Sequence, residues 1–228
     1  MAPLPTMVDH GTHDPDTGKL YISELQERIL TAHQNGSGVE TVLDLPATSH
    51  PVGIYIKQQK IFWTEKLDRT INRTDINGLG SNAIVTDTDA RKITGHDSFI
   101  YWAEHDTNSV KKAAIDGSGV STVISGLHKV RAITIDENER VLYAANYVGE
   151  TETENARIMR YDLDTNDQSD IYNAGIKISD ITILGDLLLF VDDSSLNATN
   201  KNGSSLVPLN VTGLDCTGYL SVHVLNSK

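Results

Sequence analysis

Polar side chains fall at matching places along this 228-residue chain, just where a turn-rich stretch gives way to an alternating one. His50 stands in "SHPVG", Arg91 and Lys92 in "DARKI", His128, Lys129 and Arg131 in "LHKVRA", and Lys177 and Asp180 in "KISD". Imidazole and carboxylate exchange protons, and guanidinium stabilises developing negative charge, so a ring of such groups can do acid–base work or polarise a carbonyl. On that chemistry His50, Arg91, Arg131 and Asp180 are the catalytic candidates. Lys92, His128 and Lys177 are candidate ligand contacts, with Tyr147 and Tyr219 as pocket wall. Taken singly, each reads first as an ordinary solvated loop residue; only convergence around one cavity makes a site of them.

Other chemistry is weakly signalled. "VDHGTHDPD" brings Asp9, His10, His13 and Asp14 together in a mixture that suits a transition metal, but the spacing matches no established ligand pattern. "DLDTND", residues 162–167, opens like a calcium loop yet lacks its glycine and closing glutamate, and reads better as a turn. The lone cysteine, Cys216, excludes an internal disulfide and reads as a packed thiol. No phosphate loop, dinucleotide fingerprint or nucleophile elbow is present, so no cofactor is expected.

The elements that must position these residues repeat. "LYISE", "IFWTE", "IYWAE", "LYAAN" and "LFVDD" carry Tyr21, Phe62, Tyr101, Tyr143 and Phe190, which are 41, 39, 42 and 47 residues apart. That interval is the length of one four-stranded propeller blade. Around each motif an alternating first strand, a third strand, a glycine or Asx turn and a β-branched fourth strand recur in order. The fold class is therefore all-β, a β-propeller of four-stranded antiparallel blades. The expected domain spans residues 18–228, behind an N-terminal arm of residues 1–17.

Five blades account for every predicted strand, with six as the alternative. Blade one lacks an apolar first strand, because "DHGTHDPDTG" is polar. The tail "GYLSVHVLN", residues 218–226, alternates as a first strand should. The expectation is that the C-terminus joins the N-terminal blade and closes the ring.

"FWTE" and "YWAE", each followed by a basic third strand and an "NG" or "DGSG" turn, resemble the YWTD repeats of low-density-lipoprotein-receptor-type propellers. The resemblance runs from about residue 18 to the end and is sharpest in blades two and three. It implies a fold that usually has six blades, and an acid position (Glu24, Glu65, Glu104, Asn146 and Asp193 here) that is mostly structural. Receptor-type relatives bind proteins on the funnel face. A small solitary chain also resembles fungal secondary-metabolism propellers, including those assigned to hetero-Diels–Alder cyclisation.

Two readings of function stand on this. One is a small organic ligand in the axial funnel, with cofactor-free cyclase chemistry through effective concentration. The other is a protein-interaction propeller, for which the acidic insertion "NYVGETETENAR" of blade four would serve as a partner-binding loop. The formal charge of −12 argues against nucleic acid. No apolar run is long enough to be a membrane-spanning helix. The first residues lack a secretory pattern, so a cytoplasmic location is expected, with secretion the alternative if a leader has been removed; five Asn-x-Ser/Thr sequons, at Asn35, Asn72, Asn197, Asn202 and Asn210, are weak evidence for secretion, two being Asn-Gly-Ser turns. Oligomeric state leaves no sequence signal.

Overall fold

Each blade places a different demand on its four strands, and the residue patterns follow. The second strands of blades two to four are covered on both faces by neighbouring blades, so they read as nearly continuous buried runs, such as Ile100 to Glu104. Fourth strands lie at the rim and stay largely exposed, as in Glu40–Asp44. The computed structural model describes residues 8–24, 27–146, 156–173, 178–192 and 195–209, and among these there is no helix.

Blade one is β1 (Val8–His13), β2 (Lys19–Glu24), β3 (Arg28–His33) and β4 (Glu40–Asp44). Blade two is β5 (Pro51–Lys57), β6 (Lys60–Glu65), β7 (Thr70–Asp75) and β8 (Asn82–Val85). Blade three is β9 (Ala90–His96), β10 (Phe99–Glu104), β11 (Ser109–Ala114) and β12 (Ser121–Ser125). Blade four is β13 (Val130–Asp136), β14 (Val141–Asn146), β15 (Arg157–Asp162) and β16 (Gln168–Asn173). Blade five is β17 (Ile178–Leu184), β18 (Leu187–Asp192), β19 (Ser195–Asn200) and β20 (Leu206–Leu209). In every blade the strands pair antiparallel in chain order. The protein is a propeller of five four-stranded blades.

Two expectations are corrected. The first strand of blade one is β1, made from the polar "VDHGTH", rather than the C-terminal segment 218–226. Polarity does not disqualify it, because an innermost strand faces a narrow polar channel and packs on β2; a register shift between Val8 and His10 fits it there. Residues 218–226 lie outside the described residues. The second correction is in blade five. Ile54, Ile93 and Ile133 sit opposite Trp63, Trp102 and Ala144, and Ile181 sits opposite Phe190. Leu189, not Phe190, is therefore the counterpart of Phe62 and Tyr101, and the acid position falls on Asp192, opposite Ile178, rather than on Asp193. A one-residue slip of this kind exchanges the two faces of a strand.

Cores form between blades. Tyr21 and Ile29 meet Ile54 and Trp63, and Phe62 and Ile71 meet Ile93 and Trp102. Tyr101 and Val110 meet Leu142 and Ala144, and Tyr143 and Ile158 meet Ile181 and Phe190. At these four boundaries one face of a second strand packs on the blade after it and meets the opposite face of the next second strand.

Candidate functional site

The five inner strands β1, β5, β9, β13 and β17 surround an axial cavity of about 170 Å³. Register arranges its lining in tiers. The middle tier holds Thr12, Tyr55, Thr94, Thr134 and Thr182, one residue from each blade, each opposite the second-strand position marked by Tyr21 or its equivalents. None of the four threonine side chains makes a hydrogen bond among the described residues. All four line the cavity, where threonine hydroxyls are suited to water or a small polar group.

Two residues earlier on each strand comes the charged tier. Lys92 on β9 and Asp180 on β17 meet across the axis, with Nζ 2.9 Å from Oδ1 and 3.2 Å from Oδ2. Their blades are not neighbours, so the pair spans the channel. Both side chains are largely buried, and Asp180 also accepts from the Ile181 amide at 2.9 Å. One further residue up, at the funnel mouth, stand Arg91, Arg131 and Ser179, with Val52 and His10 beside them. Arg91 is held by Asp89 at 2.9 Å. At the opposite end Lys57 reaches Glu137, also across non-adjacent blades, at 3.3 Å, and the Tyr55 hydroxyl donates to the Gly95 carbonyl at 3.1 Å. Burial, with the Glu137 charge beside it, pushes the Tyr55 hydroxyl well above its ordinary pKa.

Of the residues singled out from sequence, Arg91, Lys92, Arg131 and Asp180 come together at this mouth. His50 and His128 do not line the cavity. His50 sits at the foot of the loop entering β5, where its amide donates to the Glu65 carboxylate. Burial, reinforced by Lys66 and Arg91, holds its imidazole below the usual histidine range. His128 lies in the turn between β12 and β13, beside Lys129, whose amide donates to Asn108 at 2.8 Å. Tyr147, Lys177 and Tyr219 fall outside the described residues, as does most of the blade-four insertion.

The acid position behaves as a structural latch. Glu104, almost fully buried, accepts from the Asp89 amide at 2.7 Å, from Trp102 Nε1 at 3.1 Å and from the Thr88 hydroxyl, tying the entry of β9 to the end of β10. Asn146 accepts from the Arg157 amide at 2.6 Å.

Of the four residues weighed for a metal, the Asp9 side chain lies outside those described, and His10, His13 and Asp14 do not converge. Asp14 caps the β1–β2 turn by accepting from Thr17 Oγ1 at 2.5 Å, His13 meets Gln34 at 2.6 Å, and His10 turns to the axis. Among the described residues the group whose donor atoms converge is Asp89, His105 and Asp106. Its carboxylates are already paired, Asp89 with Arg91 and Asp106 with Arg69 at 2.8 Å. A cation there would compete with two guanidinium groups. "DLDTND" is a turn: Asp162 Oδ1 accepts from the Asp164 and Thr165 amides, and Asp164 pairs with Arg140.

The threonine tier and the place of His10 on the axis are not among the sequence candidates, His10 having been weighed only for metal. The signal for the former is the dipeptide Ile-Thr or Ile-Tyr that recurs in "GIYI", "KITG", "AITI" and "DITI".

The fold and this axial site define a β-propeller with a narrow, polar, charge-bridged axis. No family model matches the chain. Among solved structures, a chain of a nidogen/laminin complex is similar with a TM-score of 0.72 at 17% identity, over 84% of this chain and 77% of that one. An oligogalacturonate lyase in complex with manganese gives 0.64 at 13% identity, over 86% of this chain and 63% of that one. The computationally designed Ika8 protein gives 0.61 at 12%, over 89% and 61%. The chain thus spans under two thirds of the length of the latter two. At such identities the likeness is one of fold alone.

Proposed function

We propose that the protein is a recognition propeller whose funnel mouth receives an acidic segment of a partner protein. The observation that carries this reading is the axial cavity, about 170 Å³ and crossed by Lys92–Asp180, with Arg91 and Arg131 at its rim. Small-molecule sites usually enclose about 300 to 1,000 Å³. Two cyclisation partners held side by side need more room than this cavity offers, which weighs against the cyclase reading. An acidic side chain presented from outside needs no such volume.

Local charge supports the choice. The chain is acidic overall, yet the mouth places three cations, Arg91, Lys92 and Arg131, against Asp89 and Asp180. His50 and His105 both sit below the ordinary histidine range, chiefly through burial, and Arg91 contributes to both shifts. Two of these cations are paired, Arg91 with Asp89 and Lys92 with Asp180, which leaves a local excess of cations, three against two, that helps orient an anionic partner on an acidic protein. The small-ligand reading keeps one support, the convergence of four candidate residues on a single opening.

Fluorescence anisotropy with a labelled glutamate-rich peptide tests the proposal. Binding is expected at low ionic strength and should weaken at least about tenfold near 1 M salt, where screening acts over about 3 Å. Arg91→Ala with Arg131→Ala should weaken it comparably. A peptide that fails to bind at low salt, or that binds the double variant equally well, sinks the reading.

A further inference from the structure

Strand direction sends the turns from first to second strand, and from third to fourth, to the side of the ring away from the funnel mouth. Seven large hydrophobic side chains are exposed among the described residues, and six of them, Leu79, Phe99, Val120, Leu184, Leu187 and Leu206, lie in these turns or at the strand ends beside them. Leu67, on the mouth side, is the seventh. Exposed apolar residues scattered singly need no explanation, but so one-sided a distribution does. The same ten turns hold nine carboxylates and two cations, Arg140 and Lys201. Both cations are already paired, Arg140 with Asp97 and Asp164, Lys201 with Asp136 and Glu139.

The apolar and the acidic character meet in blade five. Blades two, three and five close their first hairpin with a two-residue turn, flanked by Lys57 and Lys60, by His96 and Phe99, and by Leu184 and Leu187. In blade two both flanking lysines pair with acids, Glu137 and Asp75. In blade three Arg140 meets His96, and the Lys112 ammonium lies 5.2 Å from the centre of the Phe99 ring. Blade five has no such cover. Leu184 and Leu187 are 37% and 39% exposed, and Asp186, in the turn between them, has neither a hydrogen bond nor an ion pair among the described residues.

We propose that this face, centred on the blade-five turn, docks a basic amphipathic segment of a partner protein, with its apolar side chains on Leu184 and Leu187 and a lysine or arginine on Asp186. Charge decides the occupant. A second copy meeting the chain through the same face would set carboxylates against carboxylates, and an anionic lipid surface would be repelled likewise. A cationic segment finds its counter-charges in place, and burial of the leucines adds affinity that charge alone does not. The inference stands apart from the acidic segment at the mouth, because the two surfaces lie at opposite ends of the axis and differ in local charge.

The test is fluorescence anisotropy at low ionic strength with two labelled peptides of equal positive charge, one with leucines among its lysines and one with serines in their place. The leucine peptide should bind at least about tenfold more tightly than the serine peptide. Leu184→Ser with Leu187→Ser should weaken its binding at least about tenfold, as should Asp186→Lys, whereas Leu67→Ser on the mouth side should leave it unchanged. Melting temperatures of the variants check that the fold is intact, and the substitutions at exposed positions should barely move them. Failure of the leucine peptide to bind, equal affinity of the two peptides, or an equal loss in Leu67→Ser overturns the proposal. So does self-association of the unliganded chain that the two leucine substitutions abolish, because a second copy would then occupy the face.

Discussion

Glu104 shows how a single carboxylate can be spent on architecture. It is 1% exposed and accepts from a backbone amide, an indole and a hydroxyl at once, while Lys111 Nζ approaches to 3.5 Å. Glu104→Ala would strand the buried Asp89 amide, and a loss of about 2 to 3 kcal/mol is expected in urea unfolding, with Glu104→Gln costing less because one acceptor remains. Equal losses in the two variants would mean that charge, rather than hydrogen bonding, matters. His50 and His105 give a pH signature at the same scale. Burial is the first cause of both depressed values, ahead of Arg91 and, for His50, Lys66. Unfolded, they titrate near 6.5, so below that pH the unfolded chain takes up protons that the folded chain resists. Their contribution is complete above about pH 6.5 and declines as pH falls toward the folded values. Stability measured between about pH 7 and pH 5.5 should therefore fall, and His50→Gln with His105→Gln should flatten that segment. Asp97, Asp106 and Asp162, held down by Arg140, Arg69 and local amides respectively, act in a separate window nearer pH 4.

At the scale of the element, the glycine turn joining third and fourth strands is the joint between blades. Gly117 has φ +88° and stands where a side chain would strike the Ile84 carbonyl, whereas Gly119, at φ +68°, has open space around it. Gly119→Ala should cost about 1 kcal/mol, the penalty for a left-handed residue, and Gly117→Ala at least about twice that, because the outer strand of blade two must also move. Comparable midpoints in denaturant would show that the turn is not a joint. These turns were legible in "NGLG" and "DGSG", as were the second strands, because both carry local rules: φ above zero selects glycine, and burial on two faces selects unbroken apolar runs. β1 was not legible, since an inner strand bordering a polar channel is free to be "VDHGTH". Nor was the register of blade five, where "LLLF" offers four adjacent apolar residues and only pairing with β17 decides which one takes the place of Phe62 and Tyr101.

Across the whole molecule, the site was half visible. That Arg91, Lys92, Arg131 and Asp180 share one face follows from repeat position alone. That Lys92 finds Asp180, 88 residues away, does not, because it depends on the width of the channel between non-adjacent blades. This pair is a strut: it couples blades three and five without passing through blade four. Removing one partner leaves the other buried and uncompensated, so Lys92→Met and Asp180→Leu should each destabilise by about 3 kcal/mol. The double variant replaces the ion pair with apolar contact across the axis and should recover most of that loss. A double-mutant cycle in urea measures the coupling directly. Strict additivity of the two losses would show that the blades are held by their flanking cores alone and that the axial ion pair contributes nothing to the ring.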